Sequence, residues 1–219
     1  MTGEKVSGLE SERVAGILRE DIMLGRRPPG ARLVERDIAA ELNVSRLPVR
    51  QAIWTLVSEG IVVQKPRSWA RVREFSVKDI RDFAEVREAI ETLVFVLATE
   101  RHDDAGIARL REIVAREKAA AAVEDADGAR TAAAQFHLAA LALAGNDMLD
   151  ELASILVTRL RWLFGQHDNL VESATEHEQI VESMAARDVD AIRVLLPKHL
   201  EGGREAAERR LRRLAGEGS

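Results

Sequence analysis

Cysteine is absent from the sequence. That excludes disulfide bridges, thiolate-held metals and a cysteine nucleophile, and it leaves His, Asp and Glu as the metal-ligating residue types. No run of about eighteen apolar residues occurs, and the N-terminus MTGEKVSGLESERV has none of the apolar stretch of a secretory signal. These absences predict a soluble, cytoplasmic protein without a membrane partner. Aromatic residues are scarce at 4%, and the abundance of Ala, Leu, Glu and Arg favours helix. With 219 residues and 46% hydrophobic content, the chain can bury the core of one or two domains, and two is the expectation.

Charge is unevenly spread. The formal net charge is -5, yet residues 1–75 carry 13 Lys+Arg against 10 Asp+Glu, and the remainder 19 against 27. A mildly basic head on an acidic body suits a protein that touches phosphates with one end only.

The first third reads as helices followed by a hairpin. Val14, Ile17, Leu18 and Ile22 share one face of a helix predicted over about 11–24, which Gly25 stops. Pro28, Pro29 and Gly30 then forbid helix and set a corner. A short helix fits 35–42, Asn43-Val44 interrupts it, and Ser45 is placed to cap a helix running to about Glu59. Two helices separated by so short a turn form a helix-turn-helix. Ile61–Gln64 reads as a strand, 65–68 as a turn, and Ala70–Arg73 as the antiparallel return. Ile38, Ala39, Leu42, Val49, Ile53 and Leu56 are assigned to the core, and Trp54 to packing.

From Ser76 onward no segment has strand character. Helices are predicted near 77–99, 104–123, 127–144, 147–166, 172–186 and 189–214, with Pro197 expected to kink or split the last. The fold class is therefore mainly α, with a winged helix-turn-helix over 9–75 and an all-helical bundle of about six helices over 76–214.

Three histidines fall on apolar faces by helical spacing. His137 lies with Ala133, Leu141 and Ala144, His177 with Val181 and Met184, and His199 with Ile192, Leu195 and Leu196. One inward histidine is an ordinary core residue. Three from three helices of a bundle make a shared divalent-metal site reasonable, because neutral imidazoles suit zinc, nickel or iron. His102 and His167 lie near helix ends or loops and carry no such argument.

The stretch ARLVERDIAAELNVSRLPVRQAIWTLVSEGIVVQKPRSWARV resembles the winged helix of the GntR family of bacterial regulators, whose recognition helix opens on an R-x-P-V-R-like motif. Here that opening is Ser45-Arg46-Leu47-Pro48-Val49-Arg50. The resemblance implies binding to double-stranded operator DNA, with Arg46 and Arg50 in the turns that meet base edges and Ser45 and Leu47 beside them. An arginine there forks onto guanine O6 and N7. Arg36 matches a DNA-contacting position of the family, and Lys65, Arg67 and Ser68 of the wing are expected at the backbone or minor groove. The chain departs from the family at the wing tip, where glycine is usual. It has Trp69 and no glycine between 61 and 105.

Val86-Arg87-Glu88-Ala89-Ile90-Glu91, Phe136-His137 with Ala144-Gly145-Asn146, His177 with Ile180, and His199-Leu200 resemble the FCD domain, the helical effector module of the FadR-like GntR branch. The likeness covers most of 77–205. It implies His137, His177 and His199 as ligands of a divalent metal (zinc, nickel or iron), and a small carboxylate effector held with help from Arg87, Arg159 or Arg161. Related domains add an aspartate one turn before the first histidine. Ala133 stands there instead, which removes a ligand and weakens the expected site. Arg87 and Glu91 are also spaced for an intrahelical ion pair, and the sequence leaves both roles open.

The resemblance as a whole implies a homodimeric repressor or activator on a palindromic operator, and not an enzyme. Two other readings share the histidines: a three-histidine metalloenzyme carrying a DNA-binding head, and a repressor that answers to metal alone.

Overall fold

A computed structural model describes residues 2–65, 68–164 and 169–214. The chain divides into two compact units, Met1–Phe75 and Ser76–Ser219.

The first unit contains helices α1 (Thr2–Met23), α2 (Glu35–Glu41) and α3 (Arg46–Ser58), and strands β1 (Arg32–Leu33), β2 (Val62–Val63) and β3 (Ala70–Val72). The strands form an antiparallel sheet in the order β1-β3-β2, with Leu33 opposite Ala70 and Val62 opposite Val72. Helix α1 begins at Thr2 rather than near Ser11. No proline interrupts residues 2–10, but the apolar stripe starts only at Val14, so periodicity detects the helix late. Strand β1 replaces what the sequence presents as a plain corner, since a two-residue strand has no alternation to show.

Val14 and Leu18 of α1 pack with Val49, Ala52 and Leu56 of α3, all at or near zero exposure. Pro48 sits in the first turn of α3, where backbone N–H groups have no intrahelical acceptor, so the imino ring costs no hydrogen bond. Two expectations are corrected here. Ser45 occupies the N-cap position with extended backbone, but its hydroxyl makes no capping bond. Leu42, assigned to the core, lies at the end of α2 and is only half-buried.

The second unit is helical throughout its described residues: α4 (Val77–Arg101), α5 (Asp104–Ala122), α6 (Ala126–Ala144), α7 (Asp147–Phe164), α8 (Leu170–Ala185) and α9 (Val189–Leu214). Side-chain caps set the starts. Ser76 and Asp79 form a reciprocal capping box, and Asp103, Asp125 and Asn169 accept from Gly106, Gly128 and Glu172. At Gly106 an added Cβ would lie 2.4 Å from a Leu143 methyl, so any larger residue there would require the Leu143 side chain to move.

The core gathers Phe95, Leu110, Phe136, Met184, Ile192 and Leu196, with the two phenyl rings 5.4 Å apart. Pro197 does not split α9. Ile192 and Leu196 before it and Leu200, Ala206 and Ala207 after it are all buried, and packing on both sides carries the helix across the missing donor. Among the described residues, no helix is long and apolar enough to cross a membrane.

Candidate functional site

The surface to which the sequence assigns DNA contacts is set by the turn between α2 and α3. Asn43 takes a left-handed backbone there (φ 53), a conformation that asparagine tolerates better than most residues. Glu35, at the start of α2, is thereby brought against α3. Arg50 donates Nε and Nη2 to the two Glu35 oxygens, both at 2.9 Å, and Arg46 Nη2 reaches the same carboxylate at 3.2 Å. Hydrogen bonding from Arg50, joined by Arg46, outweighs the opposing effect of burial and holds the Glu35 carboxyl below the ordinary carboxylate range.

Arg46 and Arg50 nonetheless face solvent, as do Leu47 and Arg36, the last paired with Asp37. Lys65 and Ser68 of the wing are exposed, and Ser68 N–H donates to the Lys65 carbonyl at 3.1 Å. Arg67 lies outside the described residues. Trp54, expected to pack, is instead 59% exposed. It stands one turn beyond Arg50 on the same solvent-facing stripe, whereas Ile53 and Leu56 turn to the core.

Helices α6, α8 and α9 bring His137, His177 and His199 together. One ring nitrogen from each lies within 4.8 Å of the other two. The rings of His177 and His199 are buried, and His137 is one-fifth exposed.

Each Nδ1 faces a glutamate from another helix. Glu117 of α5 is 2.7 Å from His177, Glu176 of α8 is 2.8 Å from His199, and Glu91 of α4 is 2.7 Å from His137. With their Nδ1 atoms so engaged, His177 and His199 turn their Nε2 atoms to each other at 3.1 Å. The His137–Glu91 contact is close but off the hydrogen-bond direction, and both atoms are buried without a hydrogen bond.

Two lone pairs at that separation need a proton or a cation between them. Nitrogens each about 2.1 Å from one ion stand roughly 3–3.4 Å apart, so the spacing accommodates a divalent cation. The imidazole donors suit zinc, nickel or iron, and the glutamates are the outer-shell partners that fix ring orientation at such sites.

Charge is finely set around these rings. Burial pushes the Glu117 carboxyl up to about 8. Burial opposes ionisation of Glu91 as well, but Arg87 and His137 prevail and hold it well below the usual range. For His199 burial dominates over the support of Glu176 and lowers its affinity for a proton, which keeps the ring in the neutral form that ligates metals.

Arg87 is buried and donates Nε to Glu91 at 2.6 Å. The intrahelical pair therefore forms, and through Glu91 it reaches His137. Arg159 places its guanidinium 5.7 Å from the Phe83 ring centroid. The side chain of Arg161, and His167, lie outside the described residues. Ala133, half-buried one turn before His137, offers no ligand.

Sequence reasoning misses Glu117, although a signal exists. It continues the apolar stripe Ile107, Leu110, Val114 and Ala121 of α5, and an acid on such a stripe needs a buried partner. Glu176 has no comparable signal. Arg209 is missed too. With Glu176 and His199 it lines a cavity of about 170 Å³, and it follows His199 along α9 at the spacing of Gly202 and Ala206.

A winged helix with arginines exposed on its recognition helix, followed in the chain by a helical unit with a buried polar centre, defines a DNA-binding regulator with a sensor domain. The chain matches the bacterial regulatory proteins of the gntR family over residues 10–72 and the FCD domain over residues 82–202. It belongs to the GntR family of transcriptional regulators, in the branch with a C-terminal FCD domain.

It is 25% identical to the HTH-type transcriptional repressor RspR of Escherichia coli K12 over 195 residues, covering 87% of this chain and 86% of that protein. It is 28% identical to the HTH-type transcriptional regulator LutR of Bacillus subtilis 168 over 188 residues, covering 74% and 84%. The crystal structure of a candidate GntR transcriptional regulator from Rhodococcus sp. RHA1 superposes with a TM-score of 0.74 at 31% identity, covering 90% and 96%. These relatives are regulators and not enzymes. GntR regulators bind operator DNA and effector ligands.

Proposed function

We propose that this protein regulates transcription as a homodimer on a palindromic operator, with a divalent cation on His137, His177 and His199 and a small carboxylate as effector. The convergence of three imidazole nitrogens within 4.8 Å carries the reading. Arg46 and Arg50 take base edges, Ser45 and Leu47 flank them, and Arg36, Lys65, Arg67 and Ser68 lie along the sugar-phosphate backbone. One recognition helix spans only a few base pairs, so two copies at matched spacing are what make a specific site, and a small effector-driven reorientation of the copies changes affinity steeply.

A bound cation would supply a positive centre with open positions for a carboxylate oxygen. Glu91, Glu117 and Glu176 orient the three rings, and Arg87 acts by holding Glu91. The cavity at His199 is lined by Glu172, Glu176 and Glu205 as well as by Arg209, which pairs with Glu205, so a small acid would enter it only with the cation in place to offset those carboxylates.

The test is thermal melting against a panel of small carboxylates, with added divalent metal and after chelation. A ligand that binds the native state at 100 times its Kd adds about 2.7 kcal/mol. The expected result is a carboxylate-induced rise in Tm that disappears on chelation. A rise that survives chelation removes the metal from the effector site. A rise with metal alone, and none with any carboxylate, favours the second reading, a repressor that answers to the metal through the same histidines.

A further inference from the structure

The winged-helix unit carries a concavity of about 610 Å³ whose lining includes the arginines of α3 and two indoles, Trp54 and Trp69. Trp54 is 59% exposed and Trp69 54%. Neither contributes to the core of the unit, which is complete without them. Large apolar side chains are left in water at a cost, and two lining one basic concavity mark a surface that something covers.

The position of each is informative. On α3, Arg46, Arg50 and Trp54 follow one another at i, i+4 and i+8, a single stripe drifting about 40° per step. Trp69 immediately precedes β3, where Ala70 turns inward, so its neighbour in the strand direction turns outward. The ring of charge is complementary to one occupant: Arg36, Arg46 and Arg50 against Glu35 give the lining an excess of positive charge.

We propose that Trp54 and Trp69 are DNA-contacting residues that form apolar walls on either side of the strand read by Arg46 and Arg50. Trp54 packs on the C5-methyl of a thymine beside the arginine-read bases, and Trp69 on the deoxyribose face next to the wing. The major-groove edge of thymine is distinguished by that methyl, and apolar side chains are what recognise it. A bulky indole near the wing tip also gives the departure from glycine a purpose. This inference rests on the assignment of the recognition helix to base reading.

The experiment begins by selecting a tight-binding duplex from a random-sequence pool with the full-length protein. Affinities of the wild type, Trp54→Ala, Trp69→Ala and Arg50→Ala are then measured on that duplex and on bulk genomic DNA. The same duplex is also made with deoxyuridine in place of each thymidine in turn.

Trp54→Ala is expected to weaken binding to the selected duplex about tenfold, the scale of one lost base contact, with little change on bulk DNA. One deoxyuridine substitution should weaken the wild type and leave Trp54→Ala unaffected. Trp69→Ala should weaken binding on both DNAs. Unchanged melting of the tryptophan variants is expected from their exposure, and wild-type indole emission should shift on binding, with buried Trp162 as the constant background. If Arg50→Ala loses the selected site while both tryptophan variants keep it, the inference is wrong and the recognition-helix reading stands. If Arg50→Ala keeps the site as well, both fall.

Discussion

Arg50 lays two donors on the two oxygens of Glu35 at 2.9 Å each, across the turn that joins α2 to α3. The carboxylate thus orients the very guanidinium assigned to base reading and sets a negative charge beside it. Glu35→Gln keeps the shape but removes the charge. It is expected to tighten binding to non-specific DNA severalfold at low salt while reducing the preference for a selected site, as measured by fluorescence anisotropy at two salt concentrations. Because hydrogen bonding from Arg50 holds the Glu35 carboxyl below the ordinary carboxylate range, the pairing is fully present above that range and is lost only as pH falls through the lowered value. The effect of the substitution should therefore be flat between pH 6 and 8, and equal weakening on both DNAs would contradict the orienting role.

Metal removal separates a ligand set from a merely polar core. His177 and His199 face each other through their Nε2 atoms at 3.1 Å. Chelation is expected to lower the Tm of the wild type by several degrees and to leave His177→Gln unchanged, because a cation bound only to the native state stabilises by mass action. Titration followed by metal analysis should give about one ion per chain for the wild type and none for the variant. Equal chelator shifts in both proteins would take the imidazoles out of the site.

How far the site was legible in the sequence depends on the range of the interaction. Helix starts in the second unit are marked locally by caps, Ser76 with Asp79, and Asp103, Asp125 and Asn169 each with a residue three positions on, yet hydrophobic periodicity alone places the starts of α6 and α8 at 127 and 172, one and two residues late. The three histidines were readable because helical spacing alone puts them on apolar faces. Glu117 reaching His177 sixty residues later is a tertiary contact with no local mark beyond an acid on an apolar stripe. Residue type alone assigns the Trp54 indole to packing, whereas its face is decided by the phase of α3, with Ile53 and Leu56 already occupying the inner side. Strand β1 is held by its partner β3 and has too few residues to declare itself.

Ala133 offers a gain-of-function test of the same centre. Its position one turn before His137 on α6 places a side chain on the face of that histidine. Ala133→Asp would add a carboxylate where related domains have one. It is expected to raise affinity for a divalent cation by about tenfold or more, in the range by which single carboxylates tune metal sites. Competition against a chromogenic chelator measures this directly. No change would mean that Glu91, already 2.7 Å from His137, supplies the compensating charge by itself.

Arg187 tests how α9, and with it His199, is held in place. The residue sits in left-handed backbone (φ 56) in the turn before α9. Its guanidinium donates to the carbonyls of Thr99, Glu100 and His102 at 3.1, 2.7 and 2.8 Å. These carbonyls belong to the C-terminal end of α4, where no further helical N–H is available to them, so one side chain satisfies what the helix cannot. Arg187→Ala loses those bonds and keeps a strained φ, and should cost about 1–3 kcal/mol in urea unfolding. Arg187→Gly loses the same bonds but relieves the backbone, since glycine adopts positive φ without a Cβ clash. The glycine variant is therefore expected to be the more stable of the two by about 0.5–1 kcal/mol. The reverse order would show that the left-handed conformation is not a constraint on the turn, and that the clamp acts through its hydrogen bonds alone.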